Sequence, residues 1–188
     1  MEYGELLKNR RSIRNFTDRS VTEALLMDII TESTLAPNAS HAQQWRFVIV
    51  NNKDMMKRIS DESKKNILQR IMENPEDTAH RYEAVLRNEN YNVFYNAPAL
   101  IIICGPVDYR NTMVDCALCA GYLMNAAVVR GLGTCWVNLG FDVRDPGLRS
   151  ELGLFDDMKI VAPIIIGYPE SIPPVRRREP PVVLKIIR

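Results

Sequence analysis

The chain has 188 residues, 46% of them hydrophobic and 25% charged, with a net charge of +1, so it is long enough for one well-cored domain over residues 1–188. That balance excludes a polyanion binder driven by bulk charge, and the near-neutral total argues against nucleic acid as a partner. Four irregularly spaced cysteines do not read as a disulfide framework, and two histidines give no metal-ligand spacing with them.

The N-terminus, MEYGELLKNRR, is charged where an export signal needs an apolar run, so the expectation is a soluble cytoplasmic protein. The weakly polar stretch from Asp115 to Arg130 is shorter than the ~20 residues that span a bilayer, so no membrane partner is expected. After a short helical opening comes RRSIRNF, Arg10 to Phe16. Ser20-Val21-Thr22-Glu23 has the pattern of a capping box, opening a helix whose Leu25, Leu26, Ile29 and Ile30 share a face. Pro37 ends it, and Asn38 to His41 form a polar loop. Trp45 to Val50 predicts a buried strand. Lys53 to Asn74 predicts a long helix with Met56, Ile59, Ser63, Ile67 and Ile71 along one stripe, broken at Pro75. Glu73 to Asn96 is charged and tyrosine-rich, with helix and loop mixed.

Ala99 to Cys104 (ALIIIC) reads as a second, central strand, and Asn111 to Arg130 as a helix apolar almost all round, terminated by Gly131 and Gly133. Thr134 to Asn138 is a third strand, Val143 to Leu152 a short helix, and Ile160 to Ile166 a fourth strand. The tail is proline-rich and ends in VVLKII, an edge strand or an arm. The fold class is α+β around a central sheet. A helix apolar on nearly every side, together with an apolar arm, points to an obligate homodimer, whose interface resembles a core cut in half.

Arg10, Arg11, Ser12 and Arg14 at one end and Arg176 to Arg178 at the other are the chemically loaded clusters. Guanidinium forks bind phosphate through paired, charge-assisted hydrogen bonds. If the clusters meet, they make one phosphate pocket. Taken alone, each reads as readily as a solvated charge run. The loop Ala36 to Trp45 can satisfy ring heteroatoms or serve as a plain connection. Asn138-Leu139-Gly140 after the third strand would let a flat ligand approach backbone amides. No G-x-G-x-x-G is present, and Cys116-x-x-Cys119 falls inside an apolar helix, where small buried residues are the better reading.

Taken in order, RRSIRNF, AP-x4-A-Q-x-W, NAPALIIICG, GLGTCWVNLGFD, IIIGYP and RRREP resemble the FMN-dependent nitroreductase family, nearly end to end. The resemblance implies a three-layer, domain-swapped homodimer with a mixed or antiparallel central sheet flanked by helices, and FMN at the subunit interface. It implies that Arg10 and Arg178, helped by Arg176 and Ser12, hold the FMN phosphate, that Arg11 falls in the same FMN-binding run, and that Arg14 faces the N1/O2 edge of the flavin. Pro37, Asn38 and Ser40 would belong to the loop lent to the partner's flavin, with Gln43 on the ring's polar edge. Asn138, Leu139 and Gly140 would present a backbone amide to N5. His41 stands where the family usually has Asn, and Gln44 where it has Pro.

The implied activity is reduction of small electron-poor acceptors such as nitroaromatics and quinones, with NAD(P)H as donor, by ping-pong hydride transfer through N5 and no catalytic side chain. A reductive dehalogenase, a flavin-fragmenting enzyme and a flavin-binding sensor without turnover remain alternatives. A substrate lid, if there is one, would fall between Glu73 and Asn96.

Overall fold

A computed structural model describes residues 2–188. Helices α1 (Tyr3–Asn9) and α2 (Glu23–Ser33) precede strand β1 (Arg46–Val50) and the long helix α3 (Lys53–Glu73). A short 3-10 turn (Thr78–Tyr82) runs into α4 (Glu83–Leu86). There follow β2 (Ala99–Pro106), α5 (Thr112–Val129), β3 (Gly133–Trp136), α6 (Pro146–Glu151) and β4 (Met158–Gly167). The four strands form one sheet in the order β1-β2-β4-β3, and every pairing is antiparallel. Of the mixed or antiparallel alternatives, the sheet is thus antiparallel. Its parallel contact, among the described residues, is the single bridge between Ser12 and Thr134.

Alternation along the central strands divides the core in two. Leu100, Ile102 and Cys104 of β2 face one layer, with Ile59, Ile67 and Ile71 of α3 and Phe94. Ala99, Ile101 and Ile103 face the other, with Leu26 and Ile29 of α2 and Cys119 and Leu123 of α5. Successive side chains of a strand point to opposite faces, so a strand buried on both must be apolar throughout. This is why Ala99–Cys104 of β2 and Ile160–Ile166 of β4 carry no polar side chain. Each fully buried aliphatic side chain contributes about 1.5–3 kcal/mol.

β1 departs from the expected buried strand. It lies at the sheet edge, with Arg46 exposed and Phe47, Val48 and Ile49 half-buried. The cap of α2 is Thr22, whose hydroxyl accepts the Leu25 amide, and not the Ser20–Glu23 pair. Helix α5 ends at Gly131, which takes the left-handed conformation (φ 73°). Gly133 belongs instead to β3, where a Cβ would stand 2.8 Å from Cβ of Ile13. Helix α5 is long and apolar enough, by length and composition alone, to cross a membrane, but one face is locked onto the sheet. Its other face leaves Met113, Val114, Leu118, Tyr122 and Val129 open, so within one subunit it is not buried on nearly every side. The C-terminal VVLKII is an extended, exposed arm and forms no strand.

The segment from Glu73 to Asn96 is folded onto α3. Asp77 caps the 3-10 turn through the Ala79 amide (2.7 Å). The buried Lys64 ammonium donates to the carbonyls of Asn88 and Tyr91, each at 2.9 Å, and Ser60 accepts the Val93 amide. Phe94, fully buried, lies against Gly140, where a Cβ would penetrate the aromatic ring. Overpacking of this kind costs about 1–3 kcal/mol. Gly140→Ala is therefore expected to lower unfolding free energy by about that amount in chemical denaturation. An unchanged midpoint would contradict the contact.

Candidate active site

The Arg10–Phe16 stretch is laid along the outer edge of the sheet. The Ile13 amide donates to the Thr134 carbonyl at 2.9 Å, Ile13 is buried, and Phe16 bridges to Pro169 beyond β4. These contacts fix the backbone and leave the arginines at the mouth of a cleft of about 700 Å³. That volume falls within the range of small-molecule and cofactor pockets, roughly 300–1,000 Å³.

Arg10, Arg11, Ser12 and Arg14 line the cleft together with Asn138, Leu139, Arg176 and Arg178. The two basic clusters, some 160 residues apart in sequence, do meet. Seven arginines line the cleft in all, and no aspartate or glutamate does. Arg70 is paired internally, at 2.7 Å from Asp77 and 3.2 Å from Asp142. Among the described residues, the other six make no ion pair. Asp142 also takes both nitrogens of the Arg144 fork, and its carbonyl accepts from Asn66 of α3, which anchors the loop carrying Asn138 and Leu139.

Two buried donors in the cleft wall, Arg11 Nε and Trp136 Nε1, have no acceptor among the described residues. Buried polar groups in native proteins are almost always partnered, so these donors point to a ligand acceptor. Trp136, with Tyr82, Tyr95 and Phe141, also supplies flat apolar walls. These aromatics and Arg81 were not legible as site residues, because tertiary contacts alone bring them to the cleft. Tyr95 is held at φ 55°, a left-handed conformation unusual for a non-glycine residue.

Gly140 does not line the cleft. It packs beneath Phe94, so its part is to let the loop descend onto the core. Pro37, Asn38, Ser40 and Gln43 also lie outside it. Their loop precedes β1, whereas the cleft opens beside β3, and these strands are the two opposite edges of the sheet. At about 4.8 Å per strand, three strand spacings separate them by roughly 14 Å. The loop is nonetheless tightly built. The buried Asp115 carboxylate accepts the Ala39 amide (3.1 Å) and the Tyr109 hydroxyl (3.4 Å), and Ser40, His41 and Gln43 all adopt positive φ. The Gln43 amide nitrogen, which can only donate, meets His41 Nε2 at 2.9 Å.

The Nitroreductase family profile matches residues 7–168. The chain belongs to the nitroreductase family. A protein of Methanothermobacter thermautotrophicus named as an NADH dehydrogenase/NAD(P)H nitroreductase is 27% identical over 181 residues, covering 94% of this chain and 82% of that protein. Human iodotyrosine deiodinase 1 is 28% identical over 202 residues, covering 94% of this chain and 65% of the deiodinase. The FMN-bound crystal structure of a nitroreductase from Bacteroides fragilis superposes with a TM-score of 0.82, at 21% identity, over 100% of this chain and 98% of that one.

Cys116 and Cys119, the C-x-x-C pair, are buried in α5, as are Cys104 and Cys135 in the sheet. Burial pushes the Cys104 and Cys119 thiols up to about 11 and Cys116 to about 12, and it raises Cys135 as well. The thiolate is the reactive form, so burial disfavours reaction at all four in the folded protein. The folded protein is expected to resist alkylation by iodoacetamide near pH ~8 and to take up four equivalents once unfolded, counted by mass spectrometry. Rapid labelling of Cys116 or Cys119 in the native state would contradict this.

Proposed function

We propose that the protein is a homodimeric, FMN-dependent NAD(P)H oxidoreductase that reduces small electron-poor organic acceptors, among them nitroaromatics and quinones. The observation that carries this reading is the cleft itself, where unpaired arginines, orphaned buried donors and aromatic walls occur together without a carboxylate. A phosphate joined to a flat heteroaromatic ring matches that donor set in both its parts. Relatives named as NAD(P)H nitroreductases support the choice of donor, and the FMN-bound neighbour with the same fold supports the choice of cofactor.

Arg10 and Arg178, with Arg11, Ser12 and Arg176, are assigned to the phosphate, where forked charge-assisted hydrogen bonds are strong. Arg14 is assigned to the N1/O2 edge, where a fixed cation favours the negative charge that reduction leaves. Asn138 and Leu139 offer backbone amides from a loop that Asp142 holds to α3. Bound FMN would supply the hydride chemistry, accepting from NAD(P)H and delivering to the acceptor at N5, so no side chain need act as acid or base.

Pro37, Asn38, Ser40 and Gln43 are assigned to the partner's cleft, which a loop on the opposite sheet edge can reach only across a subunit interface. The open apolar face of α5 and the exposed arm supply surface for that interface. We place the enzyme in the cytoplasm. Reductive dehalogenation is the second reading, favoured by the likeness to iodotyrosine deiodinase 1.

The test is an anaerobic absorption titration of the FMN-loaded protein. Flavin bands should bleach on adding NADH or NADPH and return on adding a nitroaromatic or a quinone. Bands that bleach with dithionite but with neither nucleotide would overturn the oxidoreductase reading and leave a flavin-binding protein.

A further inference from the structure

Once the cleft arginines are accounted for, one is left over. Arg10, Arg11, Arg176 and Arg178 fall to the phosphate, Arg14 to the ring edge, and Arg70 to Asp77 and Asp142. Arg81 lines the same cleft from the 3-10 turn Thr78–Tyr82 and makes no ion pair among the described residues. Its guanidinium lies over the Tyr82 ring, 4.8 Å from the centroid. Stacking of this kind orients the planar group while leaving its N–H fork free for an anion. On the cleft wall Arg14 repeats the arrangement, 5.6 Å from the centroid of Tyr95.

The turn that carries Arg81 is held firmly. Asp77 caps it, Ala79 is buried, and the Arg70–Asp77 pair ties it to α3. Fixing the turn's backbone reduces the freedom that Arg81 would lose on gripping a ligand.

Resting on the flavoenzyme reading, we propose that Arg81, stacked on Tyr82, recognises an anionic group on an aromatic reactant entering the cleft. Two sources carry this chemistry: a carboxylate on the acceptor, or the phosphate on the adenosine 2′ position of NADPH. No acidic side chain lines the cleft to repel either.

Equilibrium binding to the FMN-loaded protein separates the sources without relying on turnover. The probes are benzoate against benzamide, and adenosine 2′-phosphate against adenosine, titrated calorimetrically into wild type, Arg81→Gln and Arg81→Lys. Wild type is expected to prefer the anionic member of at least one pair by about tenfold or more, in line with a charge-assisted contact. Arg81→Gln should bring that ratio close to one, and Arg81→Lys should restore part of it. Loss of the benzoate preference identifies the acceptor as the anion bearer, and loss of the adenosine 2′-phosphate preference identifies the donor. Wild-type ratios near one for both pairs, or ratios that Arg81→Gln leaves intact, would overturn the proposal while the flavoenzyme reading stands. Failure of the protein to load FMN would sink that reading first.

Discussion

Like charges do not converge without something between them. At about 4 Å in a medium of effective dielectric 20, two unit charges interact by about 4 kcal/mol, and the cleft gathers several guanidiniums with no carboxylate lining it. What holds the Arg10, Arg11 and Arg14 side of it is neutral: the Ile13 amide bonded to Thr134, Ile13 packed on Gly133, and Phe16 bridged to Pro169. The backbone of the sheet edge thus positions these arginines, and an incoming anion would balance their charge. The bond that fixes the fold at this edge is also what preorganises the site.

The antiparallel order β1-β2-β4-β3 has a second consequence. It sends the arginine cleft to one edge and the 38–43 loop to the other, so a chain that needs both for one ligand needs two copies of itself. That loop carries three non-glycine residues at positive φ, each costing on the order of 1–3 kcal/mol, and Asp115 helps to hold it. The open apolar face of α5 would find cover in the proposed dimer.

Much of the fold was legible because some segments leave few choices. Ala99–Cys104 of β2 and Ile160–Ile166 of β4 are short runs without a polar side chain, as suits a strand buried on both faces, and the Met56–Ile71 stripe of α3 is buried as its spacing demands. The basic clusters could be read as a pair, although their meeting had to be observed. What stayed hidden depends on long-range contacts. Lys64 folds the 73–96 segment by gathering carbonyls more than twenty residues away, and that fold places Arg81, Tyr82 and Tyr95 in the cleft. Gly140 looked like a ligand-facing glycine, but Phe94, 46 residues earlier in the chain, needed the space. The edge position of β1 was likewise a matter of strand order, which local composition does not encode.

The central claim is that the arginine cleft recognises a flavin by its phosphate. Its most direct test is a comparison of FMN and riboflavin binding to the flavin-stripped protein, followed by quenching of flavin fluorescence. The two ligands share the ring and differ in the phosphate. A forked, charge-assisted phosphate site predicts that FMN binds at least about a hundredfold more tightly, with the gap narrowing as salt is raised. Equal affinity for the two would mean that the arginines do not hold the phosphate, and would contradict the account.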